Sequence, residues 1–272
     1  MSEIRVTGLN IFPIKSCRGI SMLEMQITNT GPMYDRGWMI VDDNNQFITL
    51  RTHSQLSQIH TQILENNLIV SLNQKKIQID LNQQQTTTDK VIVQDVTLKA
   101  GIESDEINSV FSEFLQQNVK LVRYQKESFR DLEAAQTEVS KETMFVDSRP
   151  LLLTNENSLI ALNQRLAENN LPPSQMDRFR ANIIISGLNA FAEEKIRSIQ
   201  IGGAQITNSK MCSRCVIVNM DYSTGKIILK ETLKYLPLHQ TAKGPRITFG
   251  QYFTPEVLGV IKLNDICQIE FN

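Results

Sequence analysis

Short runs rich in valine and isoleucine recur along the chain, and several alternate with polar residues in the period of two typical of β-strands. Turn-forming Gly, Pro, Asn and Asp residues separate these runs. Residues 54–64 fit a helix or a strand, and the hairpin predicted after them favours the strand. The predicted strands are 4–12, 22–27, 38–41, 46–50, 68–70, 77–79, 91–93, 119–123, 151–153, 183–185, 216–218, 249–253 and 266–271, with a further hairpin over 198–207.

Two longer stretches instead follow the 3.6-residue period of an amphipathic helix. The first begins after Ser104, a residue suited to the N-cap, and carries Asp105 and Glu106 where the helix dipole favours anions. The second begins after Asn155, and a third, short helix is expected at 231–235. The apolar positions of the two longer helices are Ile107, Val110, Phe111, Phe114 and Leu115, and then Leu159, Leu162 and Leu166.

These elements predict an α+β fold that is mostly β. The first half is a strand meander with one helix, and the second half has many short strands, as in a barrel. The charge-rich, weakly patterned segment 127–143 indicates a domain boundary or a mobile loop over a site. We therefore predict an N-terminal β-barrel-like domain with a helix over residues 1–125 and a second β-barrel domain over residues 126–272.

Composition and charge exclude several functional classes. The net charge of −1 gives no basic field for nucleic acid or an anionic membrane. The sequence contains no apolar run of about 18 residues and no secretory leader, and its four cysteines suit a reducing compartment. We expect a cytoplasmic protein, monomeric, that binds neither nucleic acid nor a membrane.

Cys212 and Cys215 form the most distinctive motif, with Arg214 between them. A neighbouring guanidinium favours the thiolate, which is the nucleophilic and metal-binding form. The β-branched residues 216–218 predict that Cys215 opens a strand, which disfavours a thioredoxin-type pair at a helix N-terminus. A zinc site would need a second pair or spaced histidines, so we predict no zinc. Two half-buried structural cysteines remain the alternative.

Several basic residues are candidates for binding an anion. The loop 13–19 can present Lys15, Ser16 and its backbone amides to an anion, or it is a solvated basic turn. Arg36 comes directly before a predicted strand. It either faces the same ligand or forms a structural ion pair with Asp35.

Arg178 and Arg180 share one face if their segment is extended. Two adjacent guanidiniums repel each other unless an anion lies between them, which suggests a phosphate. Pairing with Asp177, or with the glutamates at 193–194, is the alternative. Asp147 precedes a buried-looking strand, where it is either an active-site acid or a turn-capping residue.

Taken in order, these motifs resemble those of proteins that join a MOSC N-terminal barrel domain to a MOSC domain, above all the amidoxime-reducing components and their bacterial counterparts. The resemblance covers nearly the whole chain, and it implies two consecutive β-barrel domains. The first domain's motifs are Pro13-Ile14-Lys15-Ser16-Cys17-Arg18-Gly19 and Asp35-Arg36-x-Trp38. The second domain's motifs are Phe179-Arg180-x-Asn182-Ile183, Cys212-Ser213-Arg214-Cys215, Asp221-x-x-x-Gly225 and Phe249-Gly250-Gln251-Tyr252.

The resemblance implies a molybdenum cofactor with Cys215 as its protein ligand. The dithiolene of the pterin supplies two sulfurs, so one thiolate suffices, and basic groups can hold the terminal phosphate. No pyridoxal phosphate is expected. The implied cofactor-binding residues are Lys15, Ser16, Arg36, Asp147, Ser148, Arg180, Asn182, Ser213, Arg214 and Tyr252.

The implied activity is the molybdenum-dependent reduction of N-hydroxylated compounds, from N–OH to N–H, with Asp147 as proton donor or supporting partner. One alternative is a cofactor or sulfur carrier that uses a Cys215 persulfide, and another is a non-enzymatic binding module. No Gly-x-Gly-x-x-Gly motif is present. With Cys215 assigned to molybdenum, the remaining cysteines are too few for an independent four-cysteine iron–sulfur cluster. We therefore expect a separate electron donor, either ferredoxin- or flavodoxin-like or a b-type cytochrome, with its reductase.

The sequence departs from the family pattern at three points. Ala181 stands where relatives usually have proline, which should affect only local stiffness. The fused ferredoxin of some bacterial relatives and the membrane-anchoring extension of mitochondrial members are not in this sequence. Both differences agree with the expectation of a cytoplasmic protein that collects electrons from a partner.

Overall fold

The computed structural model describes residues 3–94, 96–126, 130–131, 142–227, 232–241 and 244–272. Within them the chain is mostly β, with three α-helices, as predicted. Most of the boundary segment predicted at 127–143 lies outside the described residues. The short helix predicted at 231–235 is described over Thr232–Tyr235, and residue 231 lies outside that description.

The elements of the first half, in chain order, are β1 (Arg5–Ile11), β2 (Ile20–Ser21), β3 (Glu24–Thr28), β4 (Gly31–Pro32), β5 (Trp38–Asp42), β6 (His60–Leu64), β7 (Asn67–Leu72), β8 (Lys75–Asp80), β9 (Thr88–Val93), β10 (Val96–Ile102), α1 (Asp105–Leu115) and β11 (Val119–Tyr124).

The elements that follow are β12 (Arg130–Asp131), β13 (Glu142–Thr143), β14 (Leu151–Asn155), α2 (Glu156–Glu168), β15 (Ile183–Ser186), β16 (Ile196–Ile201), β17 (Ala204–Ser213), β18 (Met220–Asp221), β19 (Lys226–Ile227), α3 (Thr232–Tyr235), β20 (Leu238–Thr241), β21 (Gly244–Val257), β22 (Val260–Lys262) and β23 (Cys267–Phe271). Four 3-10 helices cover Ser54–Gln58, Met176–Phe179, Ala192–Lys195 and Val216–Asn219.

The largest sheet joins strands from both halves of the chain, in the order β2-β1-β15-β14-β21-β17-β16-β23, with β20 paired to β21. Strand β1 pairs antiparallel with β15, and β3 pairs with β22. The first half also builds the four-stranded sheet β5-β11-β10-β9 and the three-stranded sheet β6-β7-β8. The boundary predicted between residues 125 and 126 stays a prediction, and the shared sheet holds the two halves against each other.

The two longer helices begin where the sequence predicts. The Ser104 hydroxyl accepts a hydrogen bond from the Ile107 amide at 3.4 Å, and Asn155 Oδ1 accepts one from the Asn157 amide at 3.2 Å. Helix α2 buries Leu162 in a cluster with Phe179, Val218 and Phe249. Val218 of this cluster lies in the 3-10 helix that follows Cys215, so the cluster anchors the chain just after the cysteine pair.

The strand predicted at 216–218 is wrong, because these residues form the 3-10 helix Val216–Asn219 and Cys215 lies at its N-cap. Val218 packs in the cluster of α2, whereas Ile217 packs against the core of the first half. A 3-10 helix turns by about 120° per residue, and this rotation directs Ile217 and Val218 into these two cores. Tertiary packing therefore overrides the β-propensity of this run.

Three other predictions need correction for similar reasons. Residues 54–64 are divided, with a 3-10 helix over Ser54–Gln58 and a strand only over His60–Leu64. The strand predicted at 46–50 is reduced to isolated bridges at Gln46 and Phe47. The segment of Arg178 and Arg180 is not extended, because Met176–Phe179 is a 3-10 helix. In each of these segments a local turn gives the side chains directions that differ from those in a straight strand.

A buried carboxyl beside α2 should make the stability of the fold depend on pH. The Ser158 hydroxyl lies 2.7 and 2.8 Å from the two carboxylate oxygens of Glu193, and Asn155 Nδ2 donates to Glu193 at 3.3 Å. Burial raises the pKa of Glu193 from 4.5 to about 7. Because the unfolded chain ionises first, the free energy of unfolding should fall as the pH rises from 4.5 to about 7.

Glu193→Gln should remove this fall in stability. As the pH rises from 4.5 to about 7, the free energy of unfolding of the variant should increase relative to that of the wild type by on the order of 3 kcal/mol. Urea denaturation at a series of pH values measures this difference. Glu270→Gln is the matched control, since Glu270 is exposed and forms an ion pair with Arg197 at 2.8 Å. Parallel stability curves for Glu193→Gln and the wild type would contradict the prediction.

Candidate cofactor site

Lys15 enters the site from the loop after β1. Its amide donates to the Trp38 carbonyl at 2.8 Å, and Ser16 takes a left-handed conformation with φ of 69°. The Lys15 side chain is only 4% exposed, donates to the Phe145 carbonyl at 2.8 Å and forms an ion pair with Asp147. The loop therefore holds a buried cation rather than forming a solvated turn.

Asp147 presents its carboxylate at the opposite side of this ion pair, with 66% of the side chain exposed. The charge of Lys15 is the main cause that lowers the pKa of Asp147 to about 2. The carboxyl group is thus ionised at neutral pH. This charge state favours a supporting role for Asp147 over the role of proton donor.

Arg36 forms the ion pair with Asp35 that the sequence left as an alternative. Asp35 Oδ1 also accepts the Phe12 amide at 2.7 Å, and burial raises the pKa of Asp35 despite the neighbouring arginine. Arg36 has φ of 52°, and its guanidinium lies 3.4 Å from Asn182 Oδ1 and 4.4 Å from the centre of the Phe12 ring. The guanidinium is therefore held in place while it also borders the cavity described below.

The side chains of Arg180 and Arg178, which lie at the same turn, make different contacts. Arg180 has φ of 53° and donates to the Cys17 carbonyl at 2.7 Å, with its guanidinium 4.3 Å from the Phe12 ring centre. Arg178 is 8% exposed, and its Nη1 atom has no hydrogen-bond partner in the described part of the chain. Neither arginine pairs with Asp177 in that part. A buried donor without an acceptor is costly, and an anionic ligand in the cavity would satisfy it.

The two cysteines of the motif have opposite environments. Cys212 is 1% exposed near the end of β17, and burial raises the pKa of its thiol. Cys215 is exposed at the start of the next turn. Arg214 donates to the Phe179 carbonyl at 2.9 Å and twice to the Phe249 carbonyl, at 2.8 and 2.9 Å. These bonds give Arg214 a structural role in fixing the turn, and its predicted effect on the Cys215 thiol stays a prediction.

One cavity of about 160 Å³ brings most of the predicted residues together. Ser148 is the predicted residue that does not line it. The predicted residues that line it are Lys15, Ser16, Arg36, Asp147, Arg180, Asn182, Ser213, Arg214, Cys215 and Tyr252. Burial raises the pKa of Tyr252 well above its ordinary value, so the phenol stays protonated.

The charge of this cavity is strongly positive. Among the described residues, seven that line it are cations, whereas Asp147 is the one carboxylate. The cations are Lys15, Arg36, Arg51, Arg149, Arg178, Arg180 and Arg214. A single exposed thiol at the edge of a cationic cavity fits an anionic ligand that brings further metal ligands of its own, as a phosphorylated pterin dithiolene does.

Sequence reasoning missed two of these cations and part of the cavity wall. Arg51 follows Leu50 in a loop of the first half, and Arg149 donates to the Ser209 hydroxyl at 2.7 Å. Neither belongs to a motif, and only the fold brings them to the site. Arg178 was detectable, because its spacing from Arg180 already suggests a phosphate.

Comparison with known families supports this interpretation of the site. The MOSC N-terminal beta barrel domain matches residues 3–118, and the MOSC domain matches residues 140–268. The chain therefore belongs to the family in which a MOSC N-terminal beta barrel domain precedes a MOSC domain. Homologues in this family are linked to the molybdenum cofactor.

Curated relatives are similar over nearly the whole chain. A "Mitochondrial amidoxime reducing component 2" of Rattus norvegicus is 29% identical over 96% of this chain and 81% of its own length. A "Mitochondrial amidoxime-reducing component 1" of Homo sapiens is 27% identical over the same shares. A "Molybdenum cofactor sulfurase" of Oryza sativa subsp. japonica is 29% identical over 92% of this chain, which spans only 32% of that protein.

In the part of the chain that the structure describes, no helix is long and apolar enough to span a bilayer.

Proposed function

We propose that this protein is a molybdenum-cofactor-dependent reductase of N-hydroxylated compounds. The observation that carries the proposal is the cationic cavity with the Cys215 thiol at its edge and, on its lining, the buried Arg178, whose Nη1 atom has no hydrogen-bond partner in the described residues. The names of the amidoxime-reducing relatives support the choice of reaction. The cofactor would supply two-electron chemistry at its metal, and the protein would bind and orient it.

The residues of this chain would divide the binding between them. The Cys215 thiolate would be the protein ligand to the metal, because it is the exposed cysteine of the pair. Arg36, Arg178 and Arg180 would hold the phosphate end by charge-assisted hydrogen bonds. Asp147 would keep Lys15 oriented rather than deliver a proton, since its pKa of about 2 leaves it ionised.

The content of the purified protein tests the cofactor directly. Protein from a host that makes the cofactor should carry molybdenum and, after oxidation, a fluorescent pterin in equal amounts. Protein from a host that cannot make the cofactor should carry neither and should still fold. A folded protein without molybdenum from the competent host would refute the proposal.

Electron supply should depend on a second protein. With reduced viologen as the artificial donor, the loaded protein should reduce an amidoxime or a hydroxylamine. With NADH or NADPH alone, turnover should be essentially absent, because the sequence carries no dinucleotide-binding Gly-x-Gly-x-x-Gly motif. A spectrophotometric assay that compares the donors under anaerobic conditions would measure this.

Addition of a ferredoxin or a flavodoxin with its reductase, or of a b-type cytochrome with its reductase, should restore NAD(P)H-driven turnover. Viologen-driven activity in the same preparation is the control for an intact site. Robust turnover with NADH and the purified chain alone would contradict the expectation.

A second candidate function is the transfer of sulfur or cofactor, with a persulfide on Cys215. The similarity to the rice sulfurase, at 29% identity, favours it. A carrier would release labile sulfur on mild reduction and would hold no stoichiometric molybdenum. An enzyme would keep its metal through dialysis and would show no such sulfur.

A further inference from the structure

A second cavity of about 420 Å³ lies on the other side of Arg180 from the cofactor cavity. Arg180 lines both cavities, whereas Arg18, His60 and Tyr222 line the second cavity and a neighbouring one of about 290 Å³ but not the cofactor cavity. Gly19 permits the close approach of its loop here, since a Cβ atom on Gly19 would lie 2.5 Å from the Phe12 ring. The second cavity thus adjoins the cofactor site at Arg180, and Arg18 and Gly19 border it from the loop that also carries Lys15.

One side of this cavity carries basic groups with too little negative charge to balance them. Arg18 Nη1 lies 3.5 Å from His60 Nε2, and Arg18 has no carboxylate ion pair in the described residues. Among the described residues, Asp177 is the one carboxylate that lines the cavity. Burial and the charge of Arg18 lower the pKa of His60, so its imidazole serves chiefly as a hydrogen-bonding group. The guanidiniums of Arg18 and Arg180 outnumber the Asp177 carboxylate, and this excess of positive charge attracts an anion.

The remaining walls show what else the ligand would contact. The Tyr222 hydroxyl is buried beside Arg180 without a hydrogen bond of normal geometry in the described part of the chain. An apolar wall stands beside the polar groups. Its residues are Phe12, Met176, Ala181 and Ile184.

We propose that this second cavity binds a small organic phosphate monoester with an aromatic or apolar body. Two guanidiniums with an imidazole and a phenol match the charge and the several acceptor oxygens of a phosphate dianion. The apolar wall would take the organic part, and the volume is ample for a phosphate group with a body of one ring. The proposal does not depend on the reductase activity, because Arg18, His60 and Tyr222 lie outside the cofactor cavity and the test leaves Arg180, which lines both cavities, unchanged.

Calorimetric titration of the purified full chain with phenyl phosphate tests the proposal, with inorganic phosphate as the second ligand. The wild type should bind phenyl phosphate saturably and more tightly than inorganic phosphate. Arg18→Ala and His60→Gln should each weaken binding about tenfold, since each removes one bond to a charged group. Arg197→Ala is the matched control, because it removes an exposed arginine whose partner is Glu270.

Each outcome decides the matter. Loss of binding in Arg18→Ala and His60→Gln with unchanged binding in Arg197→Ala supports the second cavity, provided that the thermal unfolding of all variants is similar. Equal affinity for both ligands would show a general anion site and overturn the choice of an organic monoester. No saturable binding to the wild type, or binding lost only in Arg36→Ala, would overturn the proposal, since Arg36 lines the cofactor cavity.

Discussion

Replacing Cys215 by serine is expected to abolish the reduction of N-hydroxylated compounds, whereas Cys212→Ser should keep substantial activity. Cys215 is exposed at the edge of the cationic cavity, where it can reach a bound metal. Cys212 is 1% exposed and packs with Leu152 and Ala181, so its thiol is a buried apolar group. Loss of a metal ligand should lower viologen-driven turnover by about a hundredfold or more.

The two serine variants should also differ in what they bind. Cys215→Ser should retain much of the pterin, because the basic residues still hold its phosphate. Cys212→Ser should keep both pterin and molybdenum and lose about 1 kcal/mol of stability. Pterin fluorescence, metal content and thermal unfolding of both variants measure this. Equal loss of activity in two folded variants would contradict the assignment of Cys215.

Replacing Arg178 by methionine should change cofactor retention and stability in opposite directions. The Arg178 guanidinium is buried and its Nη1 atom has no hydrogen-bond partner in the described residues, so the cofactor-free protein carries the cost of a buried donor without an acceptor. Arg178→Met should therefore raise the free energy of unfolding of the cofactor-free form by about 1–3 kcal/mol. The same variant should retain about tenfold less molybdenum.

Arg214→Met is the matched control for Arg178→Met. The Arg214 guanidinium donates three hydrogen bonds to the carbonyls of Phe179 and Phe249, so its loss should destabilise the cofactor-free form by about 3 kcal/mol or more. Urea denaturation of cofactor-free protein and metal analysis of loaded protein separate the two effects. A less stable Arg178→Met with unchanged molybdenum would mean that Arg178 is structural.

Local signals in the sequence predicted much of the fold. The hairpin of β16 and β17 and the two capped helices depend on turn residues, periodicity and N-caps, all of which act within a few residues. The segment 216–218 could not be predicted this way, because its β-branched residues favour a strand locally, whereas the 3-10 helix that they form packs against two cores. Side-chain destinations of that kind are set by elements far away in the sequence.

In the site, too, local sequence motifs predict some residues, whereas others are placed only by the packing of distant segments. Cys215, Lys15 and Arg180 belong to recognisable sequence motifs, and the fold brings them around one cavity. Arg51 and Arg149 belong to no motif, and only the packing of the two halves places them at this cavity. The ion pair of Asp35 with Arg36 and the backbone bonds of Arg214 show that a basic residue in a motif can serve the fold and the site together.

Extended X-ray absorption at the molybdenum edge tests most directly whether Cys215 holds the metal. The pterin supplies two sulfur ligands, so the wild type should show one more sulfur neighbour than Cys215→Ser, while Cys212→Ser should match the wild type. An identical number of sulfur neighbours in the wild type and Cys215→Ser would contradict the assignment of Cys215 as the protein ligand.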